Sequence, residues 1–269
     1  MTTPAPASSI VPPPREAPDA LFEYLLRLGD DRLVLGQRLA EWCGHGPILE
    51  EDIAISNIAL DLLGQATMFL RYAGEVEGKG RDEDGLAYFR EAVDFRNCHL
   101  VELPKGDFAF TIARQFFFDA YARVLLDALA RGSNAELAAI AAKALKEVRY
   151  HVRHSAEWML KLGDGTDESH RRVQRAVDDL WRFTSELFAA DEIDRAMVDA
   201  GVVLDATALQ EPWETLVHDV IGRATLTLPN STPRAPSARG GRTGQHTEHL
   251  GHMLAEMQIV ARSHPGATW

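Results

Sequence analysis

The chain has 269 residues and is 46% hydrophobic, enough for one large domain with a substantial core. Lys and Arg number 28 against 40 Asp and Glu, a formal charge of −12, which argues against a nucleic-acid surface or an anionic membrane as the main partner. Two cysteines, Cys43 and Cys98, are too few for a disulfide framework and point to a reducing cytoplasm.

Residues 1–18 carry five prolines before Arg15 and lack the basic start and apolar stretch of a signal peptide. A disordered, extended tail is expected there, followed by a single domain over 19–269. No uninterrupted apolar run approaches the ~20 residues of a membrane span.

From Asp19 onward the apolar periodicity is helical. It predicts helices over 19–43, 50–73, 83–98, 107–131, 134–162 and 168–189, then a short acidic segment, a helix near 211–226 and a last one over 245–263. The stripes are Ile55, Ile58, Leu62, Ala66 and Phe69, then Ile112, Phe116, Asp119 and Leu126, then Ile140, Ala144, Glu147, His151 and Trp158. Gly and Pro punctuate between them, as in Gly44–Pro47, Pro104–Asp107 and Gly163–Gly165. No alternating β-branched runs intervene, so the fold class is all-α. Four long helices with short connections make an up-and-down four-helix bundle, with the additional C-terminal helices packed outside it.

Each of the four long helices brings one carboxylate: Glu41, Asp61, Asp119 and Glu147. Di-iron bundles use Glu-x-x-His, which sets a carboxylate and an imidazole one turn apart and facing inward. Glu147 instead meets Tyr150 where the His belongs, and His151 comes one position late. Asp61-Leu62-Leu63-Gly64 has the carboxylate and no His. Buried carboxylates must bind a metal, take a proton or pair with cations. Arg38 near Glu41, Arg114 and Arg123 around Asp119, and Lys146 beside Glu147 favour a salt-bridge network over a metal, with a single weakly held ion or solvent-facing carboxylates as alternatives.

His249, His252 and Glu256 share one face of the last helix, a candidate metal site set against the plainer reading of an apolar face formed by Leu250, Met253, Leu254 and Met257. The loop Arg234–Arg242 holds three arginines that would suit an anion, or only a solvated linker. His151 and His154, near Arg149 and Arg153, are candidate general bases or core residues. No phosphate loop and no G-x-S-x-G nucleophile turn is present.

Leu26–Pro47 (L-R-L-G-D-D-R-L-V-L-G-Q-R-L-A-E-W-C-G-H-G-P), Asn57–Ala66 (N-I-A-L-D-L-L-G-Q-A) and Thr111–Ala120 (T-I-A-R-Q-F-F-F-D-A) resemble one family over long stretches. So do K-E-V-R-Y-H at Lys146–His151, Trp181–Asp194 and His246–Gln258. The chain resembles the structural, non-catalytic PaaC subunits of bacterial 1,2-phenylacetyl-CoA epoxidases, from about residue 21 to the C-terminus. It departs from them mainly in the proline-rich tail and at Gly240–Thr243.

The resemblance implies a ferritin-like bundle, paired in the cytoplasm with a homologous catalytic subunit, PaaA, that carries the di-iron centre and binds phenylacetyl-CoA. A reductase would deliver electrons from NADPH, and O₂ would epoxidise the ring. This chain would bind no iron itself and perform no chemistry alone. In such a complex Phe95, Arg96 and Asn97 are candidate contacts for the acyl-CoA, with Arg96 on a phosphate and Phe95 on the adenine, where a plain helix end is the alternative. Two other readings share the bundle. One is an independent di-iron or di-manganese oxidoreductase using Tyr150 or His151 as an unusual ligand. The other is a storage or adaptor protein.

Overall fold

The computed structural model describes residues 17–230 and 240–267. Ten helices carry the described chain, and no strand occurs among the described residues. They are α1 (Ala17–Ala40), α2 (Leu49–Glu77), α3 (Glu83–Tyr88), α4 (His99–Glu102), α5 (Phe108–Leu129), α6 (Ala135–Gly163), α7 (Asp167–Trp181), α8 (Glu192–Asp199), α9 (Thr207–Arg223) and α10 (Glu248–Ser263). The tail expected over 1–18 lies outside the described residues up to residue 16. Pro18 falls in the first turn of α1, where its missing N–H is no loss.

α1 packs along α2, and α5 along α6, as two helical hairpins. The 78–107 connection between the hairpins crosses the bundle and carries α3 and α4, the single long crossover of ferritin-like bundles. Polar side chains start the helices: Asp107 accepts from Phe110 N, and Asn134 from Leu137 N. α5 is buried on nearly every side, because α7 and α9 cover the face that the bundle leaves open. Phe116, Phe117 and Phe118 are consecutive and all buried; the Phe117 ring meets Trp181 and Trp213, which stack on each other. A helix apolar all round belongs at the centre.

Three expected boundaries are corrected. The helix over 83–98 is cut short: α3 ends at Tyr88 and only a 3-10 turn at Ala92–Asp94 follows, where Glu91 and Asp94 form a reciprocal capping box, before α4 begins at His99. The helix over 168–189 ends at Trp181, followed by a 3-10 turn at Thr184–Phe188. α1 stops at Ala40, where the turn drives Trp42 inward to donate from Nε1 to Thr111 Oγ1 at 3.0 Å.

Among the described residues one helix, α2, is by length and composition apolar enough to cross a membrane, and 44% of that stretch is buried inside the chain. It places Asp61 and Gln65 toward the other helices of the bundle.

The C-terminal segment is clasped to the bundle by buried carboxylates. Glu186 Oε1 accepts from Gly240 N and Gly241 N at 3.1 and 2.9 Å. Asp31 takes both terminal nitrogens of Arg242 at 2.9 and 2.7 Å. Glu102 accepts from His246 Nδ1 at 2.7 Å and Thr247 N at 2.6 Å. Burial pushes the Glu102 carboxyl up, but these donors overcome it and hold the group below its ordinary value. Gly241 is required here, since a Cβ would lie 2.2 Å from the Asn97 carbonyl oxygen.

Candidate functional site

The bundle core holds a polar layer built by all four long helices. α1 supplies Arg32, α2 supplies Asp61 and Gln65, α5 supplies Gln115 and Asp119, and α6 supplies Glu147, His151 and Ser155. Two linked sets of bonds run through it.

In the first set, Arg32 Nε donates to Gln65 Oε1 at 3.1 Å, and Gln65 Nε2 donates to Glu147 Oε2 at 2.8 Å. The guanidinium also donates to the Leu28 carbonyl at 2.8 Å and lies 4.8 Å from the Phe69 ring centre. Arg32 is 1% exposed, and burial lowers its pKa to about 10, still charged at neutral pH.

In the second set, His151 is fully buried and Nε2 meets Asp61 Oδ2 at 3.0 Å. An ionised carboxylate accepts only, so Nε2 carries the proton, and the buried Nδ1 has no partner. Asp119 accepts from Gln115 Nε2 at 2.7 Å and Ser155 Oγ at 2.8 Å. Burial raises the Asp119 carboxyl to about 6, against the opposing pull of His151, Ser155 and Gln115. Asp61 is the solvent edge of the layer, with its side chain 38% exposed.

Of the five residues expected at degenerate di-iron positions, the structure joins Asp61, Asp119, Glu147 and His151 and leaves out Glu41. Because α1 ends at Ala40, Glu41 lies exposed on the following turn, where Arg38 Nη1 donates to it at 2.7 Å. The expected cations are also redistributed. Arg114 donates to the Leu103 and Pro104 carbonyls rather than to Asp119, and Arg123 and Lys146 face solvent. Arg32 is the cation that enters the polar layer, and sequence reasoning missed it together with Gln65, Gln115 and Ser155. The available signal was the run of three charges Asp30–Arg32 in the middle of a long helix, next to the apolar stretch Leu33–Leu35.

A di-iron centre needs about four carboxylates and two histidines converging on open space. The residues present do not fit it. The lone histidine spends Nε2 on Asp61, Gln65 caps Glu147, and a guanidinium brings positive charge into the layer. Among the described residues, no group of three or more His, Cys, Asp or Glu side chains could hold a metal ion. Tyr150 is 42% exposed, outside the core, and packs by Arg153 and His154.

The remaining candidates fall elsewhere. His252 and Glu256 are exposed and His249 half-buried on the outer face of α10, while Leu250, Met253 and Leu254 pack inward. Phe95 is fully buried beneath the Arg90 guanidinium, and Asn97 donates to Glu102 Oε2 from a fully buried position. Arg96 donates from Nε to Glu23 and from Nη1 to the Val93 and Phe95 carbonyls, so Arg96 links the crossover to α1 while Phe95 and Asn97 pack within the crossover. Of the loop arginines, Arg234 and Arg239 lie outside the described residues, and Arg242 is the partner of Asp31. His154 pairs through Nε2 with Glu51 at 2.8 Å.

Fold and core together define an all-helical, ferritin-like protein with a hydrogen-bonded polar layer through its bundle. The chain matches the family described as phenylacetic acid catabolic protein over residues 7–269 and belongs to it. It is similar to a subunit of the 1,2-phenylacetyl-CoA epoxidase of Escherichia coli K12, with 53% identity over 249 residues, covering 93% of this chain and 99% of that protein.

Proposed function

We propose that this chain is the structural subunit of a 1,2-phenylacetyl-CoA epoxidase, assembling with a di-iron catalytic subunit of the PaaA type and holding no iron of its own. The observation that carries the reading is the buried Arg32 guanidinium, bonded through Gln65 to Glu147 where a bundle of this kind would place metal. It supplies in fixed form positive charge that a metal would otherwise bring, and it repels a metal cation. The relative's description as an epoxidase subunit supports a multicomponent assembly. Phenylacetyl-CoA would then be held by the partner, in the cytoplasm, and the redox chemistry would take place there.

The alternative of an independent di-metal oxidoreductase needs Tyr150 or His151 as a ligand. Tyr150 lies outside the core, and His151 already donates to Asp61. The test is metal analysis of the chain purified alone and after co-expression with the catalytic subunit. Iron is expected only in the co-purified complex. Stoichiometric iron in this chain alone, or failure of the two proteins to co-purify, overturns the proposal.

A further inference from the structure

A cleft of about 620 Å³ opens between α5, α6 and α9, away from the polar layer. Its floor is apolar, formed by Val124, Ala128, Leu145, Leu209 and Leu216. α5 lines it from Arg123 to Ala128, with Arg131 on the turn that follows, and α9 lines it from Ala208 to Asp219, which at 1.5 Å per residue makes a trough ~16 Å long along α9.

The rim is cationic. Arg123, Arg131 and Arg149 all line it. Arg131 is held by Asp127, and the rim carboxylate Asp219 by Arg223 at 3.1 Å. Arg123 and Arg149 have no hydrogen-bond or ionic partner among the described residues. Two uncommitted guanidiniums beside an apolar trough stand out on a chain of net charge −12. Pro212 adds a further feature, since it has no N–H for the Ala208 carbonyl one turn earlier, and Ala208 lines the cleft.

Small-molecule sites enclose their ligand and fix it with buried polar groups. This trough is open, and none of its polar side chains is buried. Two or three turns of helix fit its length, apolar residues fit its floor, and acidic residues fit its free arginines. On a chain of net charge −12, such a segment is attracted only to local cationic patches, of which this rim is one.

We propose that this trough is the docking site for an acidic, amphipathic helical segment of another epoxidase subunit. The proposal rests on the reading of this chain as a subunit.

The test uses the full chain with the other epoxidase subunits, measuring association across a range of salt concentrations. Arg123→Glu with Arg149→Glu is expected to weaken association by about tenfold or more and to flatten its salt dependence. Ala208→Trp, at an exposed position, fills the trough and is expected to weaken association without lowering the melting temperature. Arg175→Glu, an exposed charge change on α7, serves as the control and is expected to have no effect. Association unchanged in both trough variants overturns this inference and leaves the subunit reading intact. A wild-type chain that binds no epoxidase subunit overturns both. Loss of self-association in place of subunit binding would show a second copy in the trough and likewise overturns the proposal.

Discussion

At Asp119 the cost of burial is set against hydrogen bonds made for the charged form. The folded carboxyl titrates at about 6, raised from an ordinary 3.8. Between those values the folded state holds the proton more tightly than the unfolded chain. The contribution of this group to stability therefore falls as pH rises from about 4 to about 6 and is level above, a loss of ~3 kcal/mol. Asn can accept from Gln115 through Oδ1 and donate from Nδ2 to Ser155 Oγ, whose hydroxyl then donates to the His151 carbonyl, all without charge. Asp119→Asn is thus expected to lose this downward slope and to be at least as stable as the parent at pH 7. Urea unfolding at pH 4, 5, 6 and 7 measures it, and parallel profiles for the two proteins would refute the assignment.

A second residue pair separates what sequence proximity suggests from what packing decides. Arg38 and Lys146 both stand beside acidic residues in the chain. Arg38 is buried and donates to the Glu102 and His249 carbonyls, so Arg38→Met strands those acceptors and should cost about 2 to 4 kcal/mol. Lys146 is exposed, and Lys146→Met should stay within about 0.5 kcal/mol. Denaturant midpoints of the two variants check the contrast.

Among the elements, the four long helices were legible because each repeats apolar residues at helical spacing over five or more turns. Asp61, Asp119, Glu147 and His151 were legible for the same reason, as polar residues interrupting those stripes. Glu41 was misplaced because α1 stops at Ala40, where Trp42 turns inward onto the distant Thr111 and Phe108. The break in the helix expected over 83–98 has a similar origin. Its Arg90 guanidinium is tied to Asp30 and to the Asp94 carbonyl, partners supplied by folding and by the local turn.

The C-terminal segment adds an element with no periodic signal at all, since Gly240–Thr247 is positioned by carboxylates from three other parts of the chain. Gly241→Ala is expected to push this clasp off Asn97 and destabilise the protein by about 2 kcal/mol or more. Hydrogen exchange should rise first over 240–258. Unchanged protection there would show that the clasp tolerates a side chain.

On the scale of the whole molecule, two polar networks hold the bundle. The layer around Arg32 and His151 cross-links the four long helices, while the clasp around Asp31, Glu102 and Glu186 ties α10 to the crossover. Both are satisfied mainly by the chain's own donors and acceptors. Treatment of the isolated chain with a chelator, or with excess ferrous iron, is accordingly expected to move its melting temperature by less than about 1 °C, because a ligand stabilises only by binding the folded state. A rise with iron would show a metal site in the folded chain.

Apolar periodicity and the residues that interrupt it determined the long helices, the all-α class and half of the polar core, because those properties are local and repeat along the chain. The family resemblance was likewise carried by contiguous stretches. The partners of the interrupting residues were decided only in three dimensions. Arg32 reaches Gln65 across 33 positions, and Asp61 reaches His151 across 90. A buried charge must find its partner wherever packing puts one, and no local pattern records which distant helix supplies it.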